Sequence, residues 1–339
     1  MKNVNMHEWL NEIKQEKVKK PMPVLTFPCI QLMNVTVEEL ISDSDLHGKG
    51  MKLISDRVDS LAAVSFMDLS LEAEAFGSKI KVGPDEVPTV VDVLVNNLEE
   101  AKALEVPSLN SKRIPIYIEG VRKAAELITD RPLFAGIIGP YSLAGRLVDV
   151  ATSMIYCKKN PELMHEVLEK ATQFLIKYAK EYKEKTGAKG IVMAEPLAGI
   201  LNPQYIEEFS EPYVKRIAEA VRDENFLVIY HNCGNSTLRL TESIFRTECD
   251  VYHFGNAIDL KEMLDKAPKD KLIMGNINPA SEFTTGTVES ITETTTELLK
   301  KCYTYPNFVI SSGCDIPPIA KWDNIDAFFK ATKDFYDKL

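Results

Sequence analysis

The residues with the clearest chemical potential are one imidazole and two thiols. His231 and Cys233 close an apolar run, Phe226-Leu227-Val228-Ile229-Tyr230, that reads as a buried strand. Cys314 follows a second such run, Asn307-Phe308-Val309-Ile310-Ser311-Ser312, one residue after Gly313. Side chains alternate faces along a strand, so His231 and Cys233 project from one strand end in the same direction. A third soft ligand arriving on another strand end makes a three-ligand site with an open position, the pattern of catalytic rather than structural Zn2+. The plainer reading is that buried cysteines often only pack, and no CxxC pair accompanies these. Their strand-end placement favours the metal, because the neighbouring glycines let a metal or substrate approach the backbone closely. Cys29, Cys157, Cys249 and Cys302 have no companion pattern and are read as structural.

Such ligands need elements that end together. Strand-like runs occur at 23–27, 61–67, 133–139, 190–194, 226–230, 251–254, 272–274 and 308–310. Near-continuous apolar strands of this kind belong to a parallel sheet covered on both faces. Helical patterns fill the gaps. Between 161 and 185, Leu163, Val167, Leu168, Ala171, Phe174, Leu175 and Tyr178 form a 3.6-period stripe that stops at Gly187. Segments 36–59, 114–129, 203–221 and 288–302 behave similarly. Eight strand–helix units in 339 residues predict an α/β fold, a (β/α)8 TIM barrel. We expect a single barrel domain over 1–339, with residues 1–20 as an N-terminal helical extension.

Barrel chemistry sits where strands end and βα loops begin. Glu195, Asn235 and Asn278 each lie just past a strand and are the expected catalytic residues lining the substrate mouth. Glu72, Tyr141 and Asp315 lie in three further strand-end segments and are the expected contacts to a docked cofactor. Plainer readings exist for several. Glu72 and Glu74 could be solvated, Glu195 could cap the helix that follows, and His253 could be a satisfied core histidine.

Composition narrows the function. A net charge of −10 and a pI near 5.2 argue against nucleic acid or acidic membrane surfaces as partners. No apolar run reaches the roughly 18–20 residues that span a bilayer. The start of the chain, MKNVNMHEWLNEIKQEKVKK, is too polar for a secretory signal. Six cysteines without such a signal suit a reducing cytoplasm.

The segments GPYSLAGRL, DVYHFGNAIDL and MGNINPA resemble the uroporphyrinogen decarboxylase superfamily, and the resemblance covers essentially the whole chain. MDLSLEAEAFG and the His231-x-Cys233…Cys314 set resemble its zinc methyltransferase branch, which includes methylcobamide:coenzyme M methyltransferases. The resemblance implies an enzyme that moves a methyl group between a corrinoid (cobalamin) and a small substrate. That substrate is a thiol acceptor of the coenzyme M kind or a methoxy donor. The corrinoid would arrive on a separate, transiently bound protein, and Zn2+ would sit on His231, Cys233 and Cys314. Relatives that activate thiols often add a carboxylate ligand between the two cysteines. Gly255 and Asn256 stand near that place here, which leaves the fourth position to His253, Glu195, water or substrate.

The runner-up is a tetrapyrrole decarboxylase. Its polycarboxylate substrate calls for arginines after the first strand, yet no Arg or Lys occurs between Lys20 and Lys49. A non-catalytic corrinoid or metal carrier is disfavoured because the three ligands sit at separate strand ends rather than in a closed knuckle. The methyl donor and acceptor, the direction of transfer and homo-oligomer formation stay open.

Overall fold

A computed structural model describes residues 4–339; residues 1–3 of the expected N-terminal extension lie outside the described residues. The described residues form nine strands: β1 (Ala63–Val64), β2 (Ile80–Lys81), β3 (Thr89–Val90), β4 (Leu133–Ile138), β5 (Gly190–Ala194), β6 (Leu227–Asn232), β7 (Val251–Phe254), β8 (Leu272–Ile277) and β9 (Phe308–Ser312). Seven of them form one parallel sheet in the order β1-β4-β5-β6-β7-β8-β9. The other two, β2 and β3, make a short antiparallel hairpin in the loop after β1, which the sequence pattern did not suggest.

The expected first strand, 23–27, occupies the gap between β9 and β1 but does not form a regular ladder. Pro21 and Pro23 have no N–H to donate, and side chains replace the missing ladder bonds. The Val24 amide donates to Ser312 Oγ at 3.0 Å, and Thr26 Oγ1 donates to the Val64 carbonyl at 2.6 Å. Three backbone bonds complete the seam, from Met22 N to the Ile310 carbonyl at 3.0 Å, from Leu61 N to the Pro21 carbonyl at 2.9 Å and from Ile316 N to the Val24 carbonyl at 2.9 Å. The architecture is therefore the expected (β/α)8 barrel, with one stave held mostly by hydroxyls.

Alternation along the staves separates two apolar layers. Val64, Phe134, Val192, Ala194, Leu227, Ile229, Val251, Leu272, Met274 and Val309 pack together in the lumen. Val228, Tyr230, Tyr252, Phe254, Phe308 and Ile310 face the surrounding helices. The N-terminal helix Met6–Gln15, capped by the Asn5 side chain, buries Met6, Trp9, Leu10 and Ile13 against the lumen layer. The Met6 amide bonds the Glu224 carbonyl just ahead of β6, so this helix plugs the end where strands begin. Helices Pro161–Lys185 and Val288–Cys302 run as predicted. Two predicted helices divide. Segment 36–59 becomes Val37–Ile41 and Ser44–Arg57, with Asp43 capping the second. Segment 203–221 becomes Pro203–Phe209 and Glu211–Val221, with Pro212 in the first turn of the second. No described helix is long and apolar enough to cross a membrane.

Candidate metal centre

β6 runs two residues beyond its predicted end, to Asn232. Leu227 and Ile229 face the lumen, so the two-residue period carries His231 and then Cys233 inward at the strand-end mouth. The turn after Cys233 is held by close backbone packing. A β-carbon on Gly234 would lie 2.4 Å from the Gly199 α-carbon, and one on Gly255 would lie 2.5 Å from the Cys233 β-carbon. Only glycine fits either place. Cys314 arrives from β9 through Gly313, whose amide bonds the Ile277 carbonyl at 2.6 Å.

The donor atoms of His231, Cys233 and Cys314 all lie within 4.8 Å of one another, and Cys314 Sγ is 3.5 Å from His231 Nε2. The two sulfurs interact strongly. A hydrogen bond from Cys314, reinforced by His231, pulls the Cys233 thiol down to about 4 despite its burial. The Cys314 thiol moves well above the ordinary range through the same contact and through burial. A thiolate, a second thiol that can lose its proton to a cation, and an imidazole make a soft donor set that fits Zn2+. These residues floor a cavity of about 60 Å3 walled by Val24, Met67, Leu69, Val192 and Pro196. An outer cavity of about 390 Å3 shares Met67, Leu69 and Asp315 with the inner one and has Arg146 in its wall.

A model of the family described as "Uroporphyrinogen decarboxylase (URO-D)" matches residues 18–335. The chain belongs to the URO-D family. Its similar members carry two different descriptions. A methylcobamide:CoM methyltransferase MtbA of Methanosarcina acetivorans is 27% identical over 273 residues, covering 79% of this chain and 78% of the relative. A uroporphyrinogen decarboxylase of Francisella tularensis is 25% identical over 292 residues, covering 82% of each. A solved methyltransferase from Methanosarcina mazei superposes with a TM-score of 0.84 at 23% identity, covering 98% of both chains. At that identity it supports the barrel fold.

On the URO-D barrel, the other expected site residues scatter by role. Glu195 directly follows β5, at the same end as His231, but it is fully buried and both of its oxygens are occupied. They accept from the Tyr141 amide at 3.1 Å and from the Ser142 amide and hydroxyl at 2.6 Å each. Burial raises this carboxyl to about 7, and its contacts fasten the start of helix Pro140–Val148 to the end of β5. Asn235 is exposed beyond Cys233. Asn278 caps the short helix Pro279–Thr285 by accepting from the Ala280 and Ser281 amides. Neither lines the inner or the outer cavity. Of the three expected cofactor contacts, Asp315 alone reaches the cavities, with a buried Oδ1 that has no hydrogen-bond partner. Tyr141 is buried, its hydroxyl 3.3 Å from Ser153 Oγ. Arg146 was missed because an arginine inside a helical pattern gives no sign of facing a cavity. Its guanidinium makes one long bond, 3.5 Å to the Ser142 carbonyl.

Glu72 is also buried, 1% exposed, and withdrawn from the mouth. Its Oε1 accepts from the Ile138 amide at 2.9 Å, and its Oε2 has no hydrogen-bond partner. Burial raises the carboxyl to about 7. Between the unfolded value near 4.5 and about 7, the folded chain holds a proton that the unfolded chain has released. Stability therefore falls as pH rises through that window and levels off above it. Glu72→Gln should remove this dependence, so its stability relative to wild type improves by about 3 kcal/mol between pH 5 and pH 8. Urea melts at the two pH values measure the difference, and an unchanged gap would refute the assignment.

Proposed function

We propose that this chain is a methyltransferase that moves a methyl group between a corrinoid carried by another protein and a small substrate, with Zn2+ as its resident metal. The observation that carries this reading is the His231, Cys233 and Cys314 triad at the floor of a small apolar chamber at the strand-end mouth. The names of the Methanosarcina relatives support the same reading. A zinc ion on these three donors supplies a Lewis acid that keeps a thiol substrate deprotonated near neutral pH, or polarises a methoxy donor.

The chain's own residues do the rest. Two sulfur donors keep the centre electron-rich, which preserves the nucleophilicity of a substrate sulfur. Val24, Val192 and Pro196 restrict water around the reacting atoms, which strengthens every charge interaction inside. Met67 and Leu69 line both cavities, so a small substrate can extend from the chamber into the outer space. There Arg146 offers its charge to an acidic tail, consistent with an anionic thiol such as coenzyme M as acceptor. The catalytic roles first expected of Asn235 and Asn278 become contacts at the rim, made once a partner covers the mouth. Glu195 would act only through the helix that it fastens. The N-terminal helix blocks the opposite end, so a corrinoid protein must dock on the strand-end side. It must also leave again to be reloaded.

A decarboxylase reading gains nothing from the geometry. Among the described residues, Arg146 is the only arginine lining the inner or outer cavity, and a substrate dense in carboxylates needs several. The reading is tested by incubating the purified protein with methylcobalamin and a panel of anionic and neutral thiols, and separately cob(I)alamin with methoxy compounds. We expect conversion of methyl-Co(III) to Co(I) with at least one anionic thiol, or the reverse conversion with a methoxy donor. Failure of both, alongside turnover of a porphyrinogen, would overturn it.

A further inference from the structure

We propose that His253 is a positioning residue that fixes the ring tautomer of His231 and thereby aims a bare Nε2 lone pair at the metal. This rests on the metal-site reading above and goes beyond it. The argument runs outward from a backbone carbonyl. His253 Nε2 lies 2.7 Å from the Ser312 carbonyl oxygen, which can only accept. It also lies 2.9 Å from Ser311 Oγ, whose own hydrogen goes to the Met22 carbonyl at 2.7 Å. Both neighbours are acceptors, so His253 Nε2 carries the hydrogen.

A neutral imidazole has one N–H. A charged ring here would be buried at 1% exposure with no carboxylate among its hydrogen-bond partners, an unfavourable arrangement. His253 Nδ1 is therefore a lone pair. It faces His231 Nδ1 at 2.7 Å, so His231 must donate from Nδ1. That leaves His231 Nε2, the atom 3.5 Å from Cys314 Sγ, as the free donor. The parallel register sets up the pair, because His231 and His253 are direct partners across β6 and β7.

The chain of bonds also closes on itself. Ser311 and Ser312 anchor His253, and Cys314, two residues further on, is itself a donor of the triad. One strand end thus supplies a ligand directly and orients another through His253. Ligating histidines commonly donate their second nitrogen to a carboxylate or carbonyl. An imidazole in that place orients the ring without adding negative charge to a centre that would hold two thiolates once a cation is bound. It also removes His253 from the candidates for the fourth ligand, since both of its nitrogens are engaged.

The test uses the full-length apo-protein and zinc alone, with affinity read by competition against a chromogenic chelator. Asparagine places its amide oxygen where His253 Nδ1 sits and can accept from His231. Glutamine reaches toward the Ser312 carbonyl but offers no acceptor at the Nδ1 position. We expect His253→Ala and His253→Gln to weaken zinc binding by about 10- to 100-fold, with His253→Asn close to wild type. Thermal unfolding of the apo-forms reports any general loss of packing, which would not separate Asn from Gln. Equal zinc affinity in all variants, or an Asn variant as weak as Ala, would overturn the proposal. A wild-type chain that takes up no zinc would bring down the metal-site reading itself, and this assignment with it.

Discussion

Cys233→Ala and Cys314→Ala should each reduce zinc from about one per chain to near zero and lower methyl transfer by roughly a thousandfold. The size follows from the Lewis-acid contribution, several kcal/mol, at about 1.4 kcal/mol per decade of rate. Each change removes one of the three donors that the described residues bring together, and the remaining pair cannot enclose the ion. The fold should survive, because neither cysteine belongs to the lumen layer or to the layer beneath the helices. Metal analysis and circular dichroism on the same samples check both halves. Full zinc content in both variants would refute the ligand assignment, and a collapsed fold would refute the separation of metal from core.

The second large effect concerns stability. Arg113 bridges the loop after β1 to the start of helix Ile114–Leu127. Its guanidinium contacts Asp68 at 2.5 Å and Glu74 at 2.7 Å. Asp68 also accepts from the Tyr117 hydroxyl at 2.9 Å and from the Ser70 amide and hydroxyl. The side chain of Arg113 is 11% exposed and that of Asp68 is 0% exposed. Arg113→Met leaves a buried carboxylate without its cation and should cost about 3–5 kcal/mol. Arg113→Lys should recover only part of this, since an ammonium cannot reach both carboxylates with a planar fork. Chemical denaturation measures the change, and a loss below about 1 kcal/mol would show that the network relaxes around the substitution.

The parts of the site legible in the sequence were those with a local period. His231 and Cys233 share a strand face by alternation, and Cys314 was joined to them by its own strand-end position and by the family resemblance. The staves were legible for the same reason, apart from 23–27, where Pro21 and Pro23 forbid a regular ladder. Relations set by register were not legible. Nothing local pairs His253 with His231, because that depends on how β6 and β7 align. Arg113 meets Asp68 across an insertion containing the β2–β3 hairpin, whose polar, proline-marked strands carry little signal. Polar strand-end residues also mislead in a regular way. Glu195 stands where barrels place chemistry, yet its oxygens are spent on the first turn of a helix. A strand-end position locates a carboxylate without revealing which donors have already claimed it.

The hydroxyl-held seam has a consequence for how the chain is made. On its β9 side the hydroxyl bonds join residues 288 or 289 positions apart, Val24 with Ser312 and Met22 with Ser311. A chain emerging from the ribosome cannot close the barrel until Ser311 and Ser312 are outside, and Cys314 follows two residues later. Closure of the barrel and completion of the candidate triad therefore fall in the same interval of synthesis. Until then His231 and Cys233 offer only two donors, and the nascent chain has no finished site in which to trap a metal prematurely.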